Sequence, residues 1–387
     1  MGVVPTTIVP PRAAHRYVIR DSIERLVTDV GASRVVTVSS PAGFGKTTAM
    51  LRWAELLQEQ GRPVLWIAAR AGIDSLASFE MALRQALMGA GLPTVDASLE
   101  RDPRAWLASL PSASSAKPVL FIDDAQLLGK DVRDFVDQLI ASARDAMTTV
   151  IASRGECGIN LARLRSLGYL LEVRVRHLCF DADEAARLIH QQVETEIAAS
   201  DIQRIVVDTQ GWAAGLILAA GAWQRDLAEG LPPEGGATGL RHEFASYFHE
   251  EVIEGLPQNI RDFIIDTSIL GELTPSVCAA VVGAEDARAM LEQVFERGLF
   301  LAELDRELSR YRYYTLFRDM VFGRLMMRAP ERAANLHRRA SRYYAENGDL
   351  QLALDHAVQS SDKEFLADQL ELLADQMIYG GLLYRPG

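Results

Sequence analysis

Cysteine is scarce in this chain: three residues among 387, Cys157, Cys179 and Cys278, scattered and odd in number. No metal-type spacing joins them, so a disulfide scaffold is not what organises the fold, and a reduced, cytoplasmic protein is the simple expectation. Long hydrophobic runs are missing too. The run from Gly211 to Trp223 is too short to span a bilayer, and no charged segment followed by an apolar one opens the chain as a secretory signal would. No membrane partner is expected. Positive charge is in deficit: 40 basic residues against 52 acidic ones leave a net charge of −12. A chain of that balance is not a general polyanion binder, and contact with nucleic acid would need a local basic patch. The histidines show neither metal nor triad spacing. What is present is ordinary for a globular protein, with 49% hydrophobic and 24% charged residues. The length suffices for about two to four domains with real cores.

One segment stands out against this background. From Thr37 to Met50 an apolar, β-branched strand runs into Ser40-Pro41-Ala42-Gly43-Phe44-Gly45, then Lys46-Thr47-Thr48, then a helical pattern. This is a phosphate-binding loop. Glycines let backbone N–H groups curl around phosphate oxygens, and the following helix presents the positive end of its dipole. Lys46 would reach the β- and γ-phosphates, and the Thr47 hydroxyl would sit on Mg²⁺. The usual pattern has glycine at the first loop position, where this chain has Ser40.

Around the loop, strands alternate with helices. Arg34–Ser39, Pro63–Ala68, Pro118–Asp123, Thr148–Ser153 and Tyr169–Val175 read as strands, with helices over Gly45–Gln58 and Leu76–Met88. The alternation predicts an α/β fold with a parallel sheet, of the P-loop NTPase type, covering residues 1–176. Residues 177–240 read as a helical domain that opens on a capping box, Asp181 with Glu184, and closes in the Gly- and Pro-rich stretch Glu229–Gly239. Residues 241–328 read as short helices, one starting at Thr274-Pro275, followed by a hairpin around Leu299–Tyr314. Residues 329–387 carry amphipathic helices, with Leu336, Ala340 and Tyr344 on one face and Leu350, Ala353, Leu354 and Ala357 on the next. They read as the start of an α-solenoid. Leu370, Leu373, Ile378 and Leu382 continue an apolar face that calls for a partner segment.

Two further motifs carry chemistry. Val119–Ile122 is an apolar strand ending in Asp123-Asp124. A carboxylate at the carboxyl edge of a sheet suits Mg²⁺ held through water, and a second suits orienting or deprotonating an attacking water. Asp123 fits the first role and Asp124 the second. Ile151-Ala152-Ser153 ends in Arg154, whose planar guanidinium suits a γ-phosphate.

Taken in order, the Ser-Pro-Ala-Gly-Phe-Gly-Lys-Thr-Thr loop, the strand ending Ile-Asp-Asp-Ala-Gln, the strand ending Ser-Arg, and Gly211-Trp212-Ala213-Ala214-Gly215-Leu216 resemble a known set. It is that of the signal-transduction NTPases with numerous domains (STAND class), in the branch of the maltose-regulon activator and the large ATP-binding LuxR-type regulators. Arg297-Gly298-Leu299-Phe300-Leu301 and Arg312-Tyr313-Tyr314-Thr315-Leu316-Phe317 resemble that family's winged-helix region. The resemblance implies an AAA+-like nucleotide domain followed by helical, winged-helix and helical-repeat domains. It also implies a switch: ADP held at rest, an inducer acting through a C-terminal helical-repeat region, then ATP exchange, self-association and slow hydrolysis. Position by position, Val18 and Arg20 would pass the adenine. Pro41 to Thr48 would hold phosphate, Asp123 and Thr47 would hold Mg²⁺, and Asp124 and Arg154 would act on the γ-phosphate. Tyr314 stands where the family usually has a histidine reaching the ADP β-phosphate; a tyrosine hydroxyl donates one hydrogen bond but carries no imidazolium charge. At Ala213 the family often has proline.

Direct DNA binding is not expected of this chain alone, since no helix-turn-helix pattern follows the repeat helices. Arg324, Arg328, Arg332, Arg338, Arg339 and Arg342 form a basic stretch, read here as a solvated face or a contact onto the acidic nucleotide domain. Trp212 and Trp223 read as helical core. The competing functions are a nucleotide-dependent interaction scaffold and, less favoured, a P-loop kinase-type enzyme.

Overall fold

A computed structural model describes residues 10–11, 17–69, 73, 75–93, 107, 117–143, 145–193, 197–230 and 237–372. They fall into two compact units, 1–240 and 241–387.

The first unit is built on five strands: β1 (Val35–Ser39), β2 (Val64–Ala68), β3 (Val119–Asp123), β4 (Thr148–Ser153) and β5 (Leu170–Arg174). Their order is β2-β3-β4-β1-β5 and every pairing is parallel. β2 and β3 are near-continuous apolar runs rather than alternating ones, as a sheet covered on both faces requires, whereas the edge strand β5 carries Glu172 and Arg174. All of β3 and β4 is buried. Helices Leu76–Gly89 and Lys130–Ala143 bring Phe79, Leu83, Leu87, Val132, Val136 and Leu139 into a core shared with Leu65, Leu120 and Ile122. Helix Lys46–Glu59 buries Met50, Trp53 and Leu57, and the Trp53 indole N–H is satisfied by the Ile23 carbonyl at 2.8 Å. Each such large apolar side chain contributes about 1.5–3 kcal/mol on burial.

The expected capping box is present: the Asp181 carboxylate accepts the Glu184 N–H at 2.8 Å and starts helix Ala182–Gln192. With helices Ala199–Thr209 and Ala213–Ala228 it closes a second core of Leu188, Ile189, Ile202, Ile205, Leu216 and Trp223. The stretch read as a loop to Gly239 ends earlier, because a helix begins at Ala237; residues 231–236 lie outside the described set.

In the second unit, Thr274 caps helix Pro275–Val282 by accepting the Val277 N–H, with proline at the first helical position where no N–H is needed. The hairpin pairs β6 (Leu301–Asp305) with β7 (Arg310–Tyr313), and Leu273 bridges Tyr311 on its outer side. Phe248, Phe300 and Phe317 stack around it, with ring centroids 5.0–5.3 Å apart. Beyond it run helices Thr315–Arg328, Pro330–Glu346 and Leu350–Gln359, and residues 363–372 are helical. Leu336, Ala340, Ala353 and Ala357 are buried as the amphipathic reading requires. Leu370 is exposed, and Leu373, Ile378 and Leu382 lie outside the described residues.

In the basic stretch Arg328, Arg332 and Arg342 are exposed, as a solvated face requires. Arg332 pairs with Asp266 at 2.7 Å, Arg338 with Asp362 at 2.9 Å, and Arg342 lies over the Phe365 ring. Two of its six arginines, Arg332 and Arg338, are thus paired with acids of their own unit. Among the described residues no helix is long and apolar enough to cross a membrane.

Candidate nucleotide site

The strand order puts β4 between β1 and β3, so the glycine loop after β1, the acidic pair ending β3 and the arginine after β4 lie along one carboxyl edge of the sheet. That edge is where ligands bind in open α/β sheets.

The loop needs glycine at two places. Gly43 and Gly45 have φ of 75° and 81°, in the left-handed region that disfavours a side chain. Ser40 has no positive φ and is buried, which explains why glycine is dispensable there. Pro41, Ala42 and Phe44 are buried, Thr47 is half-buried and Thr48 is exposed on the first helical turn. Gly45 is the N-cap of helix Lys46–Glu59, so the first N–H groups of that helix and its positive dipole end face the loop.

Lys46 is buried, and its ammonium donates to the Ser40 and Pro41 carbonyls at 2.7 and 2.8 Å. Burial, and then the nearby charge of Arg154, lower its pKa to about 8, against the pull of Asp124 and Asp123. The Thr47 hydroxyl donates to Asp123 Oδ2 at 2.8 Å, and Asp123 Oδ1 accepts the Asp124 N–H at 3.0 Å. Burial, reinforced by Asp124, raises the Asp123 pKa. A buried carboxylate so disfavoured as an anion, touching a hydroxyl, is a good seat for a divalent cation, which restores the charged form. The donor set of glycine-loop amides, Lys46 and Arg154 fits an anionic phosphate chain beside that cation.

Asp124 has φ 55°, a strained setting for a non-glycine residue, and its carboxylate accepts the Gln126 amide N–H at 3.0 Å. The other end of the same amide accepts the Arg154 backbone N–H at 3.0 Å. Gln126 therefore ties the second carboxylate to the start of the arginine segment. Its position two residues after the acidic pair is the one sequence signal for this role.

The other residues named from the sequence have these surroundings. Val18 is buried in the core of the helical segment. The Arg20 guanidinium is fully engaged: it pairs with Glu184 at 2.7 Å, donates to the Leu178 and Cys179 carbonyls, and lies over the Phe180 ring. Tyr314 belongs to the second unit, where it caps helix Thr315–Arg328 and its N–H bonds the Phe300 carbonyl. Trp212 is more than core. Its indole N–H donates to the Ala42 carbonyl of the loop at 3.0 Å, a long-range contact that no local pattern encodes.

Comparison with known proteins agrees with this architecture. The MalT winged helix domain model matches residues 249–333. The serine/threonine-protein kinase PknK of Mycobacterium tuberculosis is 29% identical, over 96% of this chain and 35% of PknK. The HTH-type transcriptional regulator MalT of Klebsiella pneumoniae is 26% identical, over 95% of this chain and 42% of MalT. The chain thus spans well under half the length of either relative. Among solved structures, the Walker-type ATPase PABY2304 of Pyrococcus abyssi superimposes with a TM-score of 0.57, over 81% of this chain and 98% of that one. At 12% identity that likeness is one of fold. Loop, acidic pair and sheet order agree with the fold of the P-loop ATPase, and the winged-helix match makes the chain MalT-like over residues 249–333.

Proposed function

We propose that the chain is the nucleotide-dependent switch of a transcriptional regulator, binding ADP at rest and ATP in an active, self-associating state, with slow hydrolysis. The observation that supports this reading most strongly is the convergence of Lys46, Thr47, Asp123, Asp124 and Arg154 on one sheet edge. In this reading Pro41 to Thr48 hold the phosphates, and Thr47 and Asp123 hold Mg²⁺, which would neutralise charge developing between the β- and γ-phosphates. Asp124, held by Gln126, orients the attacking water, and Arg154 senses the γ-phosphate. The Val18–Arg20 backbone lines the adenine, and the domains follow the boundaries 1–176, 177–240, 241–328 and 329–387. The inducer acts through the helical-repeat region. The reading of Tyr314 rests on the family resemblance alone.

A scaffold that never touches DNA is favoured over direct DNA contact by this chain, because Arg332 and Arg338 of the basic stretch are paired with acids of their own unit. The test is light scattering of the full chain with Mg²⁺ and either ADP or a non-hydrolysable ATP analogue. Higher mass with the analogue alone supports the switch; the same mass in both, with steady turnover at about 1–100 s⁻¹ on an added acceptor, supports a kinase-type enzyme instead.

A further inference from the structure

A glycine loop grips phosphate with its amides only if its carbonyls are held facing the other way. Two of those carbonyls are held by one turn of the helical segment. Ala42 O accepts the Trp212 indole N–H at 3.0 Å, and Gly43 O accepts the Ala214 backbone N–H at 2.9 Å. Ala214 lies in the first turn of helix Ala213–Ala228, where N–H groups have no partner within the helix. The Phe44 ring stands 6.4 Å from Trp212, tilted by 50°.

The turn itself is tightly specified. Gly211 has φ 69°, and a Cβ there would lie 2.4 Å from the Phe180 carbonyl oxygen. A Cβ on Gly215 would lie 2.5 Å from the Trp212 ring. The first glycine lets the turn close on the Phe180 backbone, whose N–H bonds the Gly211 carbonyl at 2.9 Å. The second leaves room for the indole, which is buried with its N–H aimed at the loop. Such close packing around one donor is more than a helix start requires.

We propose that Trp212 is a positioning residue for the phosphate loop: through Ala42 and Gly43 the Gly211–Gly215 turn sets the loop's conformation, and with it the affinity for nucleotide phosphate. The inference rests on the nucleotide reading of the loop and adds a residue remote in sequence to its machinery. Grip on phosphate then depends on how the helical segment sits against the loop.

The test compares wild type, Trp212→Phe and Leu216→Ala in the full chain, by ADP titration with Mg²⁺ and by hydrogen exchange of the peptide spanning residues 40–46. Phenylalanine keeps most of the ring and loses the N–H. Leu216, fully buried in the helical core, is the control for general loosening of that segment. The expected result for Trp212→Phe is ADP binding weakened about 3–10-fold, the equivalent of one hydrogen bond, with faster exchange in the loop peptide. Leu216→Ala should bind ADP within about twofold of wild type, since it leaves both loop contacts in place. Unchanged affinity and exchange in Trp212→Phe, or an equal loss of affinity in Leu216→Ala, would overturn the proposal. Wild type that bound no ADP would remove the nucleotide reading, and loop exchange in Trp212→Phe would then decide the positioning role by itself.

Discussion

The Thr47 hydroxyl donates to Asp123 Oδ2 over 2.8 Å, joining the first turn of the helix after β1 to the carboxyl end of β3. β4 lies between those two strands, so the bond links the phosphate loop to the acidic pair across a strand to which neither residue belongs. Asp123 is buried and its carboxyl is pushed toward the neutral form by burial and by Asp124. A divalent cation reverses that disadvantage. Asp123→Asn keeps the shape and removes the charge. Nucleotide affinity with Mg²⁺ should fall about 10–100-fold in this variant, while affinity in excess chelator stays near that of wild type. Isothermal titration in both conditions checks it.

Lys46 gives a pH signature. Its pKa is lowered to about 8, first by burial and then by Arg154. Phosphate binds the charged ammonium, so affinity for ADP should be constant below pH 8 and weaken as pH rises from 8 toward 10, where free lysine would still be charged. The fold changes in the opposite sense. The folded protein holds fewer protons than the unfolded chain between pH 8 and 10.5, so the cost of the buried charge is relieved as pH rises. In Lys46→Met the affinity should be low and flat over the same range. Titrations at pH 7, 8 and 9.5 in matched ionic strength separate the two profiles.

How much of this could be read from the chain depends on the distance over which each feature is encoded. The phosphate loop, the Asp123-Asp124 pair, the capping box at Asp181 and the Thr274-Pro275 helix start are legible because their chemistry lies within a few neighbouring residues. The parallel sheet follows from the alternation of apolar strands with helices. The Trp212 contact with Ala42 joins positions 170 residues apart, and a helical periodicity correctly buries the ring without saying where its N–H points. Arg20 shows the converse. The family resemblance sets it beside the adenine, whereas Glu184 and two helix-end carbonyls take up its guanidinium. The ion pairs of Arg332 and Arg338 within the basic stretch are not legible, because Asp266 and Asp362 are 66 and 24 positions away along the chain.

Gln126 bridges the Asp124 carboxylate and the Arg154 backbone, with both hydrogen bonds at 3.0 Å. Removing the amide takes one hydrogen bond from the carboxylate without touching the phosphate loop. In Gln126→Ala, single-turnover ATP hydrolysis should slow by about 10-fold or more while ATP affinity stays within about twofold. Equal losses in both would place Gln126 in binding instead.

The second unit carries an acid-sensitive pair. His337 and His356, on helices Pro330–Glu346 and Leu350–Gln359, meet through their Nδ1 atoms at 2.8 Å, with Tyr344 stacked on His356. Burial lowers both pKa values to about 4; the charge of His356 adds to this at His337, and Asp355 opposes it at His356. The unfolded chain takes up protons near pH 6.5 and the folded pair does not. Their stabilisation is therefore complete above pH 6.5 and is lost as pH falls from 6.5 toward 4. Urea unfolding at pH 7.5 and pH 5 should show a larger loss in wild type than in His337→Phe, which leaves a single ring to protonate.

The central claim is that the loop at Ser40–Lys46 holds an adenine nucleotide by its phosphates. The most direct measurement is equilibrium titration of ADP and ATP into the full chain with Mg²⁺, wild type beside Lys46→Ala. Saturable binding to wild type, with one nucleotide per chain, is the expected result. In the variant a loss of about 10–100-fold is expected, as for removing a charged hydrogen-bond donor from phosphate. Equal binding by the two proteins, or none by wild type with or without Mg²⁺, would contradict it.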